Sequence, residues 1–210
     1  YMVANNMFRQ LHYRLHWGHS WPQSVPAEKY AKSNPEFFVM KGGKRRPDAI
    51  GNQLCISNAQ VQEIMLQHID QAFASGNKLY QLGQSDGFQA CECPACRELG
   101  ETANERVWKV HRALAEKMAV KYPDCKISII AYSVTQEPPV YFDSFPGNVV
   151  IELTKYDEVE FQKWLKFKVP FMVYTYWWGC YNELGYLPKR TPLMISEHIK
   201  RLKKYQVLDV

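Results

Sequence analysis

Five short apolar runs separated by amphipathic segments constrain this chain most: "QLCIS" (53–57), "KLYQLGQ" (78–84), "PDCKISIIAYS" (123–133), "GNVVIEL" (147–153) and "VPFMVYTYW" (169–177). Strands that are apolar throughout, rather than alternating with polar residues, belong to a sheet buried on both faces, which is the habit of parallel sheets. The intervening segments carry helix signals. Ser57-Asn58-Ala59-Gln60 is a capping-box pattern opening a helix to about Ser75, and Thr102 with Glu105 opens another to about Tyr122. In the second, Val107, Val110, Leu114 and Met118 recur at helical spacing. Asp157 and Glu160 cap a helix around Phe161, Trp164 and Leu165, and Thr191-Pro192 starts a last one. Between Ser133 and Gly147 the prolines leave no room for a crossover helix, so a long loop must make that connection. No glycine-rich phosphate turn follows the first strand, which argues against a doubly wound nucleotide-binding sheet. The expected fold is therefore α/β, a (β/α)8 TIM-barrel-like domain filling residues 1–210 and incomplete at both ends, with about five or six strand–helix units in view.

Composition narrows the partners. The net charge of +5 is mild, and its basic residues fall in separate groups, "KGGKRRP" (41–47) and "KRLKK" (200–204). A nucleic-acid partner would ask for one basic stripe, so none is expected. No run of eighteen apolar residues is present, which excludes a membrane-spanning helix. The chain opens on "YMVANNMF" with no lead-in and reads as part of a longer protein, whose other domains or barrel segments are its expected partners.

In a β/α barrel, functional side chains gather at the C-terminal strand ends. Here those ends bring Asp86 beside Gly87, then Tyr132, Glu152, Tyr174, Tyr176, Trp177 and Trp178. Two carboxylates with aromatic rings on one rim suit a glycan: the carboxyls for acid–base cleavage of the glycosidic bond, the ring faces for sugar stacking. The ordinary alternative is a turn-capping Asp86 and a rim ion pair at Glu152. "LHWGHSWP" (15–22) adds His16, Trp17 and His19, which read as ligand-binding groups; two histidines without the carboxylate of a zincin pattern make a poor metal site.

"CECPAC" (91–96) offers three thiols, Cys91, Cys93 and Cys96, where tetrahedral zinc wants four ligands. Cys55, at the end of the preceding apolar run, is the fourth candidate. Free thiols and a disulfide within the group are the competing readings. Six cysteines in 210 residues are too few for a disulfide scaffold. A structural zinc would brace the loop beside Asp86 without taking part in catalysis.

Four motifs in order, "WGHSWP", "PAEKYAKSNPEFFVMKGGKRR", "QLCISNAQV" and "GQSDGFQACECPACRELG", resemble the domain of unknown function 4838 family, found in large bacterial proteins similar to glycoside hydrolases. The resemblance runs from about residue 5 to about residue 178. It implies a barrel akin to those of α-glucuronidases and β-hexosaminidases, a glycan partner and a periplasmic or extracellular bacterial location. It also implies one strand before residue 1 and one after Val210. With "YMVANNM" as strand two, Asp86 falls where related barrels keep their proton donor. Gly87 follows it where hexosaminidases have Glu, a departure from their acidic pair. The resulting expectation is a glycoside hydrolase working through Asp86 and Glu152, the alternatives being a catalytically silent carbohydrate-binding barrel or a zinc-stabilised interaction module.

Overall fold

The structure, a computed structural model, describes residues 18–175, 191–205 and 207–208. Four parallel strands carry it: β3 (Leu79–Leu82), β4 (Lys126–Ala131), β5 (Val149–Leu153) and β6 (Phe171–Val173), hydrogen-bonded in that order. Pairing runs Gln81↔Ser128, Ile130↔Glu152 and Leu153↔Val173. Strand neighbours in space are neighbours in sequence, so each crossover steps the sheet one strand onward. The mixed α/β class and the parallel sheet agree with the sequence.

Before the sheet come two short helices, α1 (Trp21–Ser24) and α2 (Ala27–Tyr30), and a hairpin of β1 (Met40–Lys41) and β2 (Lys44–Arg45). The longer helices are α3 (Ala59–Ala74), α5 (Ala103–Lys121), α6 (Glu158–Leu165) and α7 (Pro192–Lys203); a one-turn α4 (Pro94–Glu98) lies in the cysteine loop. Among the described residues no helix is long and apolar enough to cross a membrane.

Both faces of the sheet are buried, but they differ. One face, with Tyr80, Ile127, Ile129, Ile151 and Phe171, joins Ile69, Trp108, Leu114, Phe161 and Trp164 of the helices in one core. Alternate strand positions point the other way. On that second face Gln81, Ser128 and Glu152 sit among Ile130, Val150 and Met172, each no more than 4% exposed. A Cβ on Gly83 would lie 2.0 Å from the Gly18 carbonyl oxygen, so the glycine lets residues 18–21 close over the end of β3. Trp21 N donates to Gly83 O, and Gly83 N to Ser20 Oγ, both at 3.1 Å.

Three local expectations are corrected. "QLCIS" is not a strand of the parallel sheet: Leu54 forms an isolated antiparallel bridge with Phe38, and residues 56–57 turn. Its apolar residues are buried because 37–39 lie alongside, with Val39 N bonded to Gln53 O (3.0 Å) and Cys55 N to Phe37 O (2.8 Å). Cys55 therefore lies between that bridge and the turn at 56–57, not at the end of a strand of the parallel sheet. The cap of α3 is Asn58, whose side chain accepts from Gln60 N and Val61 N, while the Ser57 hydroxyl faces the cysteines. Thr102 does cap α5, accepting from Glu105 N at 3.1 Å, but the Glu105 carboxylate reaches the Glu101 amide instead of closing the box. The proline-rich link after β4 holds only the 3-10 turn Ser133–Thr135, and β4 and β5 pair in parallel across it as expected. "YMVANNM" lies outside the described residues.

Candidate functional sites: a rim cleft and a four-cysteine cluster

The ends of β3 to β6 surround a cleft of about 630 Å³, lined by His19, Asp86, Tyr132, Gln136, Lys155 and Tyr174, among others. Chain segments bring each group there. Asp86 lies four residues past β3, Tyr132 and Tyr174 directly follow β4 and β6, and Thr154-Lys155 directly follow β5. Ser133, also in the lining, holds a left-handed backbone (φ 54°), a conformation uncommon outside glycine and one that accumulates at functional sites.

Asp86 is two-thirds exposed and central to the polar contacts. Its Oδ1 accepts from Gly87 N at 2.9 Å and from the Tyr132 hydroxyl at 3.5 Å, and lies 3.7 Å from His19 Nε2. On the other side of the ring, His19 Nδ1 is 2.5 Å from the Gln84 carbonyl oxygen. A carbonyl only accepts, so Nδ1 carries a proton and Nε2 is the nitrogen turned to Asp86 and the cleft. Gln84 is fully buried and donates to Tyr132 O and Thr135 Oγ1, tying the β3 and β4 loops together.

The Asp86 loop is clamped from behind. Gln53, fully buried, donates from Nε2 to Ile50 O (3.0 Å) and Asp86 O (2.8 Å), and its Oε1 accepts from Gln89 N (3.0 Å). Gly51 allows the approach: with φ 78°, its missing Cβ would fall 2.5 Å from Asp86 O.

Glu152, the second expected carboxylate, lies one residue before the end of β5 and is 1% exposed. It accepts from the Gln81 amide, whose own carbonyl takes the Gly18 N–H. It shares a face with its register partner Ile130, which lines the cleft, but is not itself a lining residue. His16, Trp17, Tyr176, Trp177 and Trp178 lie outside the described residues. The expected groups brought together are thus His19, Asp86, Tyr132 and Tyr174. Lys155 and Gln136 were missed; reading two residues past Leu153 would have found Lys155.

The cysteine loop leads from this cleft to a second site. Cys55, Cys91, Cys93 and Cys96 are each no more than 5% exposed, and their sulfurs all lie within 4.8 Å of one another. Cys55 Sγ is 3.6 Å from Cys93 Sγ and 3.8 Å from Cys96 Sγ. Four sulfurs arranged tetrahedrally about a zinc ion at ~2.3 Å would be about 3.8 Å apart, so the spacing fits a four-thiolate metal site. The thiols are free.

The surroundings suit thiolates. Met40 N donates to Cys91 Sγ (3.3 Å), Cys96 N to Cys93 Sγ (3.4 Å), and the Arg45 guanidinium stands 3.8 Å from Cys91 Sγ. Cys93 caps α4, with Pro94 first in the helix, which aims the helix start at the sulfur. Glu92 holds the hairpin down, accepting from Lys41 Nζ (3.1 Å) and Gly42 N (2.9 Å). Hydrogen bonds from Cys91 and Cys96 push the Cys55 thiol far below its ordinary pKa; the same sharing pushes Cys91 and Cys96 up. A bound metal would stabilise the thiolate form, so loading the site would release protons.

A family model described as Domain of unknown function (DUF4838) matches residues 2–210. A search among curated proteins finds no match.

Proposed function

The chain belongs to the DUF4838 family, and from its rim cleft we propose that it is a carbohydrate-active protein: the cleft is a glycan-binding site, and the parallel sheet is part of a glycoside-hydrolase-like β/α barrel. The observation that carries the reading is the convergence of His19, Asp86, Tyr132 and Tyr174 on one cleft at the C-terminal strand ends. The Asp86 carboxylate and His19 Nε2 offer acceptors for sugar hydroxyls, and Tyr132 and Tyr174 offer faces for pyranose rings. Zinc is the metal we assign to the four cysteines, since a buried all-thiolate set of this spacing suits a closed structural site. It would hold the loop of residues 85–96 and, through it, the backbone of Asp86.

Hydrolysis is the second reading. Its support is Glu152, which lies on the same sheet face as the cleft residue Ile130 and would be the second carboxylate. Asp86 would then act as proton donor.

The test is a panel of aryl glycosides and unlabelled oligosaccharides offered to the wild-type protein and to Asp86→Asn. Turnover by the wild type and none by the variant, with binding retained, supports the hydrolase. Binding without turnover supports the silent carbohydrate-binding barrel. Neither binding nor turnover leaves the zinc-stabilised interaction module and rejects the glycan reading.

A further inference from the structure

A second cavity adjoins the cleft. It measures about 470 Å³ and lies between the segment after β5 and helix α7. Thr154 and Lys155 line both spaces, so they are two halves of one groove. Thr154 is fixed there, its hydroxyl donating to Ala131 O at 2.7 Å and lying 3.1 Å from Gln136 Oε1.

The charges in this second half do not cancel. Lys155, Arg201 and Lys204 line it with His198, against two carboxylates, Asp157 and Glu158. Both carboxylates are engaged: Asp157 caps α6 by accepting from Glu160 N at 3.0 Å, and Glu158 pairs with Lys204 at 3.5 Å. Among the described residues neither Lys155 nor Arg201 has a carboxylate partner. Arg201 instead donates to His198 Nδ1 at 3.4 Å, a partner that brings no negative charge. Three cations against two carboxylates leave the lining net positive, and a guanidinium and an ammonium outside direct ion pairs favour an anionic occupant. Guanidinium geometry matches the paired oxygens of a carboxylate or sulfate.

We propose that this half of the groove is an anion subsite, and that the glycan it selects carries a carboxylate or sulfate held by Lys155 and Arg201. The inference rests on the carbohydrate reading of the cleft and adds the charge of the ligand. The uncharged portion of the saccharide lies against Tyr132 and Asp86; the charged group reaches past Thr154 toward α7.

Calorimetry with two matched pairs of probes tests it: oligogalacturonides against their carboxyl-reduced counterparts, and sulfated galactan oligosaccharides against their desulfated counterparts. The charged member of at least one pair should bind about fivefold tighter at low salt, as expected for solvent-screened ion pairs, and lose that margin as ionic strength rises. Arg201→Gln and Lys155→Gln alter exposed side chains, and each should bring the ratio toward one. Which pair responds distinguishes carboxylate from sulfate. Equal affinity within both pairs would overturn the anion subsite while leaving the glycan cleft in place, as would a preference that survives both substitutions. Failure of all four saccharides to bind would remove the carbohydrate reading and this inference with it.

Discussion

The four-cysteine cluster and the rim cleft lie at opposite ends of one loop and are built in opposite ways. Three of the four metal-ligand candidates fall within six residues, and all four are buried. Its sulfurs take hydrogen bonds from nearby amides. The cleft draws residues from four strand ends and from the segment before α1, stays open, and keeps Asp86 exposed. A closed, locally encoded site stabilises a loop; an open site assembled across the sheet can accept a ligand. Gln53 and the loop of residues 85–96 join the two, so damage to the cluster should reach the cleft, but damage to the cleft should not reach the cluster.

The largest effect should come from breaking the cluster. Cys93→Ser should lower zinc content, measured by elemental analysis, and cost several kcal/mol of stability, since a structural metal contributes folding free energy. For a chain of this size that means a melting temperature lower by about 10 °C or more. A metal-free protein with unchanged melting would dissolve the contrast.

Acid probes the segment that supplies His19. His111 on α5 is fully buried, and burial pushes its pKa down to about 3, so it is neutral when folded. Its Nε2 accepts from Trp21 Nε1 at 3.1 Å. The unfolded chain protonates this histidine near its ordinary pKa of about 6.5, so below that pH the unfolded state binds more protons. The stability contributed by the neutral histidine is therefore complete above about pH 6.5 and declines as pH falls from there toward 3. Thermal melts of the wild type and His111→Gln across this window should show a shallower acid decline in the variant. Parallel curves would contradict the assignment.

A smaller effect should follow from cutting the link. Gln53→Leu strands Asp86 O and Gln89 N without their partners and should cost about 1–3 kcal/mol, read by chemical denaturation. Glycan affinity should fall while zinc content holds. Unchanged affinity would separate the two regions altogether. The smallest effect is expected from Tyr132→Phe, which removes a long hydrogen bond to an exposed carboxylate: stability within about 0.5 kcal/mol and a few-fold change in affinity at most.

The same contrast explains what was legible in the sequence. The cysteine spacing is local, so the group of four neighbouring thiols could be read, Cys55 included, although Cys55 lies just before a turn and not at the end of a sheet strand. The apolar runs of β3 to β6 announced a parallel sheet because burial on both faces leaves that mark. "QLCIS" carries the same mark for another reason: an irregular segment at 37–39 covers it, and no periodicity in 53–57 reveals such a partner. Strand ends pointed to Asp86, Tyr132 and Tyr174. They could not show that Asp86 faces His19, which is 67 residues away, or that Gln81 sits against Glu152, because neither pairing leaves a local pattern.

Glycan binding by matched proteins tests the central claim most directly. Wild type and Asp86→Ala, both shown by elemental analysis to carry the same zinc, should be titrated with every saccharide that the wild type binds. Loss of affinity by tenfold or more in the variant at equal zinc content and equal melting temperature is the expected result, on the order of a lost charge-assisted hydrogen bond. Equal affinity in the two proteins would show that the cleft around Asp86 is not where the glycan sits.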